Sequence, residues 1–202
     1  MVILASYGLG CFASAFYLVR WRTGRDIRSI GSGTAGATNA GRILGVPGFT
    51  VAFLVDFVKG ALAVGLARYL ELGSWAMILA MVAVVAGHVW PVQLQFRGGK
   101  GIATSLGAIL LFDGWTALLL ALGFILWFLL TRNFTFSGLL SFAICPCIFI
   151  GTRQPDFRVL GSSLLAFMVL IAHRNNLRQE WRRWRSGTIR MPTDKPASKE
   201  VK

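Results

Sequence analysis

The sequence predicts an all-α, polytopic integral membrane protein, a bundle of about seven transmembrane helices. Three observations predict it. Apolar runs of helix length recur between Val2 and Ala172. Charged residues make up only 14% of the chain, against about 25% in an ordinary soluble domain. The charges gather between the runs, so no polar stretch is long enough to bury a soluble core of its own. Glycine, at 23 residues, suits close helix approach in lipid.

The first span runs from Val2 to Val19. It lacks a basic start and is followed by Arg20, Trp21 and Arg22, which predicts an uncleaved signal anchor rather than a cleaved signal peptide. The second runs from about Phe49 to Leu70 and contains Asp56 and Lys59, three residues apart on one helix face. Charges inside a span turn to the bundle interior or a wet cavity. The pair is expected to give structural support, with a reach into a functional site as the alternative. The third span is Ser74 to Val89, with His88 at its end read as an interfacial hydrogen-bonding residue. The fourth, Ile102 to Phe112, is short enough to be re-entrant. Trp115 to Leu130, Phe136 to Ile150 and Phe157 to Ala172 complete the set, and Pro146 is tolerable where neighbouring helices satisfy the freed carbonyl. Several runs fall short of the ~20 residues of a simple crossing, so five crossings is the alternative count. Residues 1–185 are expected to form one transmembrane domain, and 186–202 a disordered polar tail.

With seven crossings the termini lie on opposite sides. Of the 21 Lys and Arg residues, all but Lys59, Arg68, Arg153 and Arg158 then share a side with the tail. The positive-inside rule makes that side cytoplasmic and the N-terminus external. The three polar loops, after the first and third spans and after the last, all fall there. The net charge of +13 matches anionic headgroups and anionic substrates better than nucleic acid, because the cations flank apolar spans.

Gly31 to Arg42 is dense in glycine and alanine, with hydroxyls at Ser32, Thr34 and Thr38, an amide at Asn39 and a cation at Arg42. Accessible backbone N–H groups and a helix start make an anion site, which Arg42 can close with its planar fork. Gly31, Gly33 and Gly36 also fit a dinucleotide fingerprint, but no soluble strand–helix–strand unit surrounds them, so that reading fails. In the second loop Gly98, Gly99, Lys100 and Gly101 are not a Walker motif: Leu94 stands at the upstream glycine position and Gly101 where Ser or Thr belongs. Their amides and the Lys100 charge still suit phosphate. In the third, His173 and Asn176 are one helical step apart, able to position and deprotonate an alcohol or, as the plainer alternative, to form a polar helix end at the headgroups. No His is followed five residues later by Asp, as coenzyme A-dependent acyltransferases often require, and no nucleophile elbow is present. Cys11, Cys145 and Cys147 lie in apolar runs without ligand spacing and read as small buried residues, not a metal site.

Together these loops resemble the bacterial acyl-phosphate:glycerol-3-phosphate acyltransferases. Asp26-Ile27-Arg28, Gly31-Ser32-Gly33, Gly36-Ala37-Thr38-Asn39 and Arg42 are similar to that family's first motif. Gly87-His88, Pro91, Phe96, Gly98-Gly99-Lys100-Gly101 and Ala103-Thr104 are similar to its second, and His173-Arg174, Asn176 and Arg178 to its third. Asp56 with Lys59-Gly60 also resembles the family. Thr34, where the family usually has Asn, and the residues after Arg178 depart from the pattern.

The resemblance implies transfer of a fatty acyl group from acyl phosphate to the 1-hydroxyl of sn-glycerol 3-phosphate at the bacterial inner membrane, on its cytoplasmic face. It implies neither coenzyme A nor a metal or nucleotide cofactor, and a monomer among membrane lipids. Ser32, Gly33, Thr38, Asn39, Arg42, His88 and Gly98 to Gly101 are then the expected substrate contacts, with Ser32, Arg42 and Lys100 at the glycerol phosphate headgroup. His173, Asn176 and Ser32 are the expected catalytic residues. A mixed anhydride carries a good leaving group, so direct transfer needs no acyl-Ser32, and either His173 or a substrate phosphate oxygen can take the proton. Rival functions are an organic-phosphate transporter, which would want polarity through the bilayer midplane, and a lipid-binding scaffold, which would not need three distinct polar loops.

Overall fold

The computed structural model describes residues 1–153, 155–175, 177, 178 and 185. Its helices are α1 Val2–Cys11, α2 Ser14–Thr23, α3 Ala37–Tyr69, α4 Gly73–Val89, α5 Ile102–Phe112, α6 Gly114–Thr131, α7 Phe134–Gly151 and α8 Asp156–Ala172. Short 3₁₀ turns stand at Ile27–Ser29 and Val92–Leu94. Among the described residues, five stretches are long and apolar enough to cross a membrane: Val2–Thr23, Ala37–Tyr69, Gly73–Leu94, Gly114–Thr131 and Phe134–Gly151. The two other helices are shorter: α5, at 11 residues, and α8, at 17. The chain divides into two compact units, Met1–Ala172 and His173–Lys202. All eight helices lie in the first. In the second, the Leu177 N–H closes a helical turn on the His173 carbonyl at 3.0 Å. The tail expected over 186–202 lies outside the described residues.

Two expectations change. The first span is not continuous: Phe12 and Ala13 leave helical geometry and separate α1 from α2. The second begins well before Phe49, because Gly36, in extended backbone, starts α3 at Ala37. Gly45 then kinks α3 at φ 72°, two residues before Pro47. A left-handed residue is tolerable there because glycine has no Cβ to clash. The early turns carrying Asn39 and Arg42 can therefore leave the axis of the apolar span. The cysteines also divide: Cys11 and Cys145 are buried, whereas Cys147 is exposed on α7. Two residues along a helix turn the side chain through about 200°, so Cys145 and Cys147 cannot share a face.

Within the first unit α3 packs on α5, α1 on α4, α6 on α7, and α8 on α4 and α7. Glycine allows the closest of these. A Cβ at Gly60 would land on the Thr104 carbonyl, and one at Gly107 on the Phe57 carbonyl. Gly10 and Gly87 bring α1 and α4 together in the same way, each against the other helix's backbone. Lipid supplies little hydrophobic drive between helices, so backbone proximity carries much of the association. Gly60→Ala is therefore expected to lose about 1–3 kcal/mol, the usual cost of overpacking. Thermal unfolding in detergent checks it; an unchanged midpoint would mean that α3 and α5 can separate freely.

Candidate functional site

Asp26 opens the first polar loop. It accepts the Arg28 N–H at 2.8 Å and the Arg28 side chain at 2.7 Å. Arg28 also donates to the Leu94 carbonyl at 2.8 Å, tying the first loop to the second. Hydrogen bonding to Arg28 holds the Asp26 carboxyl below its usual range. Leu94 itself packs into a buried cluster with Val19, Ile27, Ala35 and Ala40.

Asn39 organises Gly31 to Thr34. Its Oδ1 accepts from the Ser32 N–H at 2.9 Å, and its Nδ2 donates to the carbonyls of Ile27, Ile30 and Thr34 at 3.0–3.1 Å. The amide is buried and fully engaged. It serves the site by fixing the loop rather than by facing an incoming ligand. Gly31 and Gly33 take φ of 61° and 70°, and a Cβ at Gly31 would strike Asn39 Oδ1. Only glycine fits that turn. The exposed Ser32 and Thr34 hydroxyls lie 3.0 Å apart. Thr38, also exposed, is in the first turn of α3, whose N-terminus carries no side-chain cap. The positive end of α3 thus meets the loop.

The second loop folds onto the first. The Ala35 N–H donates to the Gly98 carbonyl at 3.1 Å. The Gly98 and Gly99 N–H groups donate to the Val89 and His88 carbonyls at 3.1 and 3.0 Å. Gln95 and Phe96 are both left-handed, at φ 55° and 60°, and reverse the chain before Arg97. Gly101, at φ 86°, starts α5. Lys100 is pushed down to about 8, first by burial and then by the positive charge of Arg42. Lys100 on the second loop thus feels the charge of Arg42 on the first turns of α3.

The Ala35–Gly98 bond joins the segment of Ser32, Gly33, Thr38, Asn39 and Arg42 to the loop of Gly98 to Gly101, which packs on His88. His173 belongs to the second unit, and Asn176 lies outside the described residues. His88 is buried within the protein, only 5% exposed, and Lys59 Nζ lies 2.9 Å from its Nδ1. Asp56 and Lys59 form a buried ion pair at 2.9 Å. Ser14, which the sequence did not single out, donates to Asp56 at 2.9 Å; a serine inside an apolar run was the available signal. Thr104 and Ser105, buried at the start of α5, have side-chain oxygens with no hydrogen-bond partner among the described residues.

Comparison with known proteins shows the family of the chain. Residues 1–183 match the family model described as glycerol-3-phosphate acyltransferase. A Desulfitobacterium hafniense protein named glycerol-3-phosphate acyltransferase 1 is 44% identical over 179 residues, covering 88% of each chain. A Bacillus cereus protein of the same name is 37% identical, covering 87% of this chain and 96% of its own. Among solved structures, PlsY (YgiH), an integral membrane glycerol 3-phosphate acyltransferase in its glycerol 3-phosphate form, superposes with a TM-score of 0.82 at 27% identity. It covers 92% of this chain and 91% of that one. With apolar helices of crossing length, two glycine-rich loops hydrogen-bonded to each other and a family match over nearly its whole length, the chain belongs to the glycerol-3-phosphate acyltransferases, as an integral membrane protein.

Proposed function

We propose that the protein transfers a fatty acyl group from acyl phosphate to the 1-hydroxyl of sn-glycerol 3-phosphate, giving 1-acylglycerol 3-phosphate and phosphate. This is the first step of phospholipid synthesis. The observation that carries the reading is the backbone bond from Ala35 to Gly98, which joins the glycine-rich segment leading to Arg42 to the one that carries Lys100, a cationic region suited to phosphorylated substrates. The names of the relatives support the acceptor. The donor rests on chemistry: a mixed anhydride reacts without a strong nucleophile, provided the partners are held and the charge is balanced.

In the proposed step the 1-hydroxyl oxygen bonds to the acyl carbon while its proton passes to a base. The tetrahedral intermediate then collapses, breaking the bond to phosphate, which leaves with the electron pair. Ser32, Arg42 and Lys100 hold the glycerol phosphate, with Gly33, Thr38 and the Gly98–Gly101 turn around it; the Gly98 and Gly99 N–H groups, expected to face phosphate, are instead spent on the Val89 and His88 carbonyls and shape the turn. Either His173 or a substrate phosphate oxygen takes the proton, and Asn176 orients the hydroxyl. Purified protein given acyl phosphate and glycerol 3-phosphate should release phosphate in step with the acylated product. Acyl-coenzyme A should not replace the donor. Uptake of glycerol 3-phosphate into proteoliposomes without phosphate release would favour a transporter instead.

The reading includes a monomeric catalytic domain over 1–185 and seven crossings of a bacterial inner membrane, N-terminus outside, with the loops facing the cytoplasm. The distribution of cations supports it. In cells, a Thr34→Cys variant in a Cys147→Ser background should resist an impermeant thiol reagent until the membrane is permeabilised. Labelling of intact cells would place the first loop outside.

A further inference from the structure

We infer that Asp56 and Lys59 are positioning residues that act on the phosphate site through His88. The three side chains are 1%, 3% and 5% exposed. Lys59 Nζ has four neighbours: Asp56 Oδ1 at 2.9 Å, His88 Nδ1 at 2.9 Å, and the Gly10 and Phe12 carbonyls at 3.1 and 2.8 Å. An ammonium has hydrogens to give and no lone pair. Three hydrogens are shared among these four neighbours, and an Nδ1–H aimed at the ammonium from 2.9 Å would set donor against donor; the facing nitrogen therefore presents its lone pair, which leaves the His88 proton on Nε2. Asp56 lies 3.5 Å from the same nitrogen, too far to compete for a proton there. Charge agrees: one carboxylate and one ammonium cancel, and a protonated ring would add an uncompensated buried charge.

The other edge of the ring meets the second loop. A Cβ at Gly99 would land on His88 Nε2, and would come 2.6 Å from Cε1 and 3.1 Å from Cδ2. A Cβ at Gly98 would strike the His88 carbonyl, which itself receives the Gly99 N–H at 3.0 Å. From Gly98 the connection continues to Ala35 in the first loop. The buried pair thus fixes the tautomer and tilt of His88, and the ring sets the path of the loop that carries Lys100. The break between α1 and α2 belongs to the same device, since it frees the Gly10 and Phe12 carbonyls for Lys59. Stability alone does not require such a pair, because packed apolar residues serve as well.

This inference rests on the glycerol phosphate lying at the two joined loops. The test is the double variant Asp56→Asn, Lys59→Met, which removes both charges together and leaves none unpaired. With the fold intact by unfolding temperature, KM for glycerol 3-phosphate should rise about tenfold while kcat stays within about threefold. Nitrogen NMR of histidine-labelled wild type should show His88 as the Nε2–H tautomer, and the double variant a mixture. The chain has two histidines, so a His173→Gln sample assigns the signals. A wild-type His88 protonated on Nδ1, or a folded double variant with wild-type KM, overturns the inference. If the double variant does not fold, the wild-type tautomer decides. If Arg42→Ala and Lys100→Ala also leave KM unchanged, the phosphate site itself is misplaced. If those two raise KM and the double variant does not, only the positioning role fails.

Discussion

Replacing Arg42 or Lys100 with alanine should lower kcat/KM for glycerol 3-phosphate about tenfold to a hundredfold, the equivalent of the roughly 1.5–3 kcal/mol that a charge-assisted hydrogen bond supplies. The loss should fall mainly on KM, because the phosphate of the acceptor is present before and after the acyl carbon reacts. Lys100 adds a pH signature. Burial and the Arg42 charge bring it down to about 8, so it is cationic at neutral pH and loses its proton just above. Only the cation attracts phosphate. KM for glycerol 3-phosphate should therefore be low below pH 8 and rise above it. Lys100→Arg should abolish the rise, since guanidinium keeps its charge. Arg42→Ala should move the rise to higher pH, because one of the two effects depressing Lys100 is gone. Folded variants with wild-type efficiency, or a wild-type KM flat to pH 9, would refute the assignment.

The membrane helices were legible because lipid imposes a composition on them, and the ends of α4, α6, α7 and α8 fall within about two residues of the apolar runs, a normal boundary uncertainty. The start of α3 was not legible in that way. Hydropathy marks what lies in lipid, and Ala37 to Gly48 is helix that supports a polar loop. The break at Phe12 and Ala13 was hidden more deeply. Gly10-Cys11-Phe12-Ala13 is uniformly apolar, and the reason to interrupt it sits on another helix, in the hydrogen-bonding demand of Lys59. Within the site, the glycines and cations of each loop were visible in the sequence, but the bond from Ala35 to Gly98 joins residues far apart in it. Asn39 looked like a ligand contact for the same reason that it organises the loop: its amide both donates and accepts.

Asn176→Ala should reduce kcat/KM by about 10²–10⁴-fold, the range in which positioned proton-transfer machinery operates. The attacking alcohol is a poor nucleophile until it loses its proton, and the oxygen of the opening carbonyl gains charge as it does. A carboxamide can orient the first or stabilise the second, so its loss is severe whichever group is the base. His173→Ala separates the two possible bases. If imidazole takes the proton, only its neutral form is active, and the rate falls on the acidic side as the ring becomes protonated. The variant should then be slow and also lose that acidic limb. A slow variant that keeps the limb would leave His173 a substrate-positioning role and make a substrate phosphate oxygen the base, chemically accessible because phosphate is already the leaving group. Mass spectrometry after rapid quenching covers the remaining route. Direct transfer predicts no acylated protein at any time, and an acyl group found on Ser32 would replace that scheme with a two-step one.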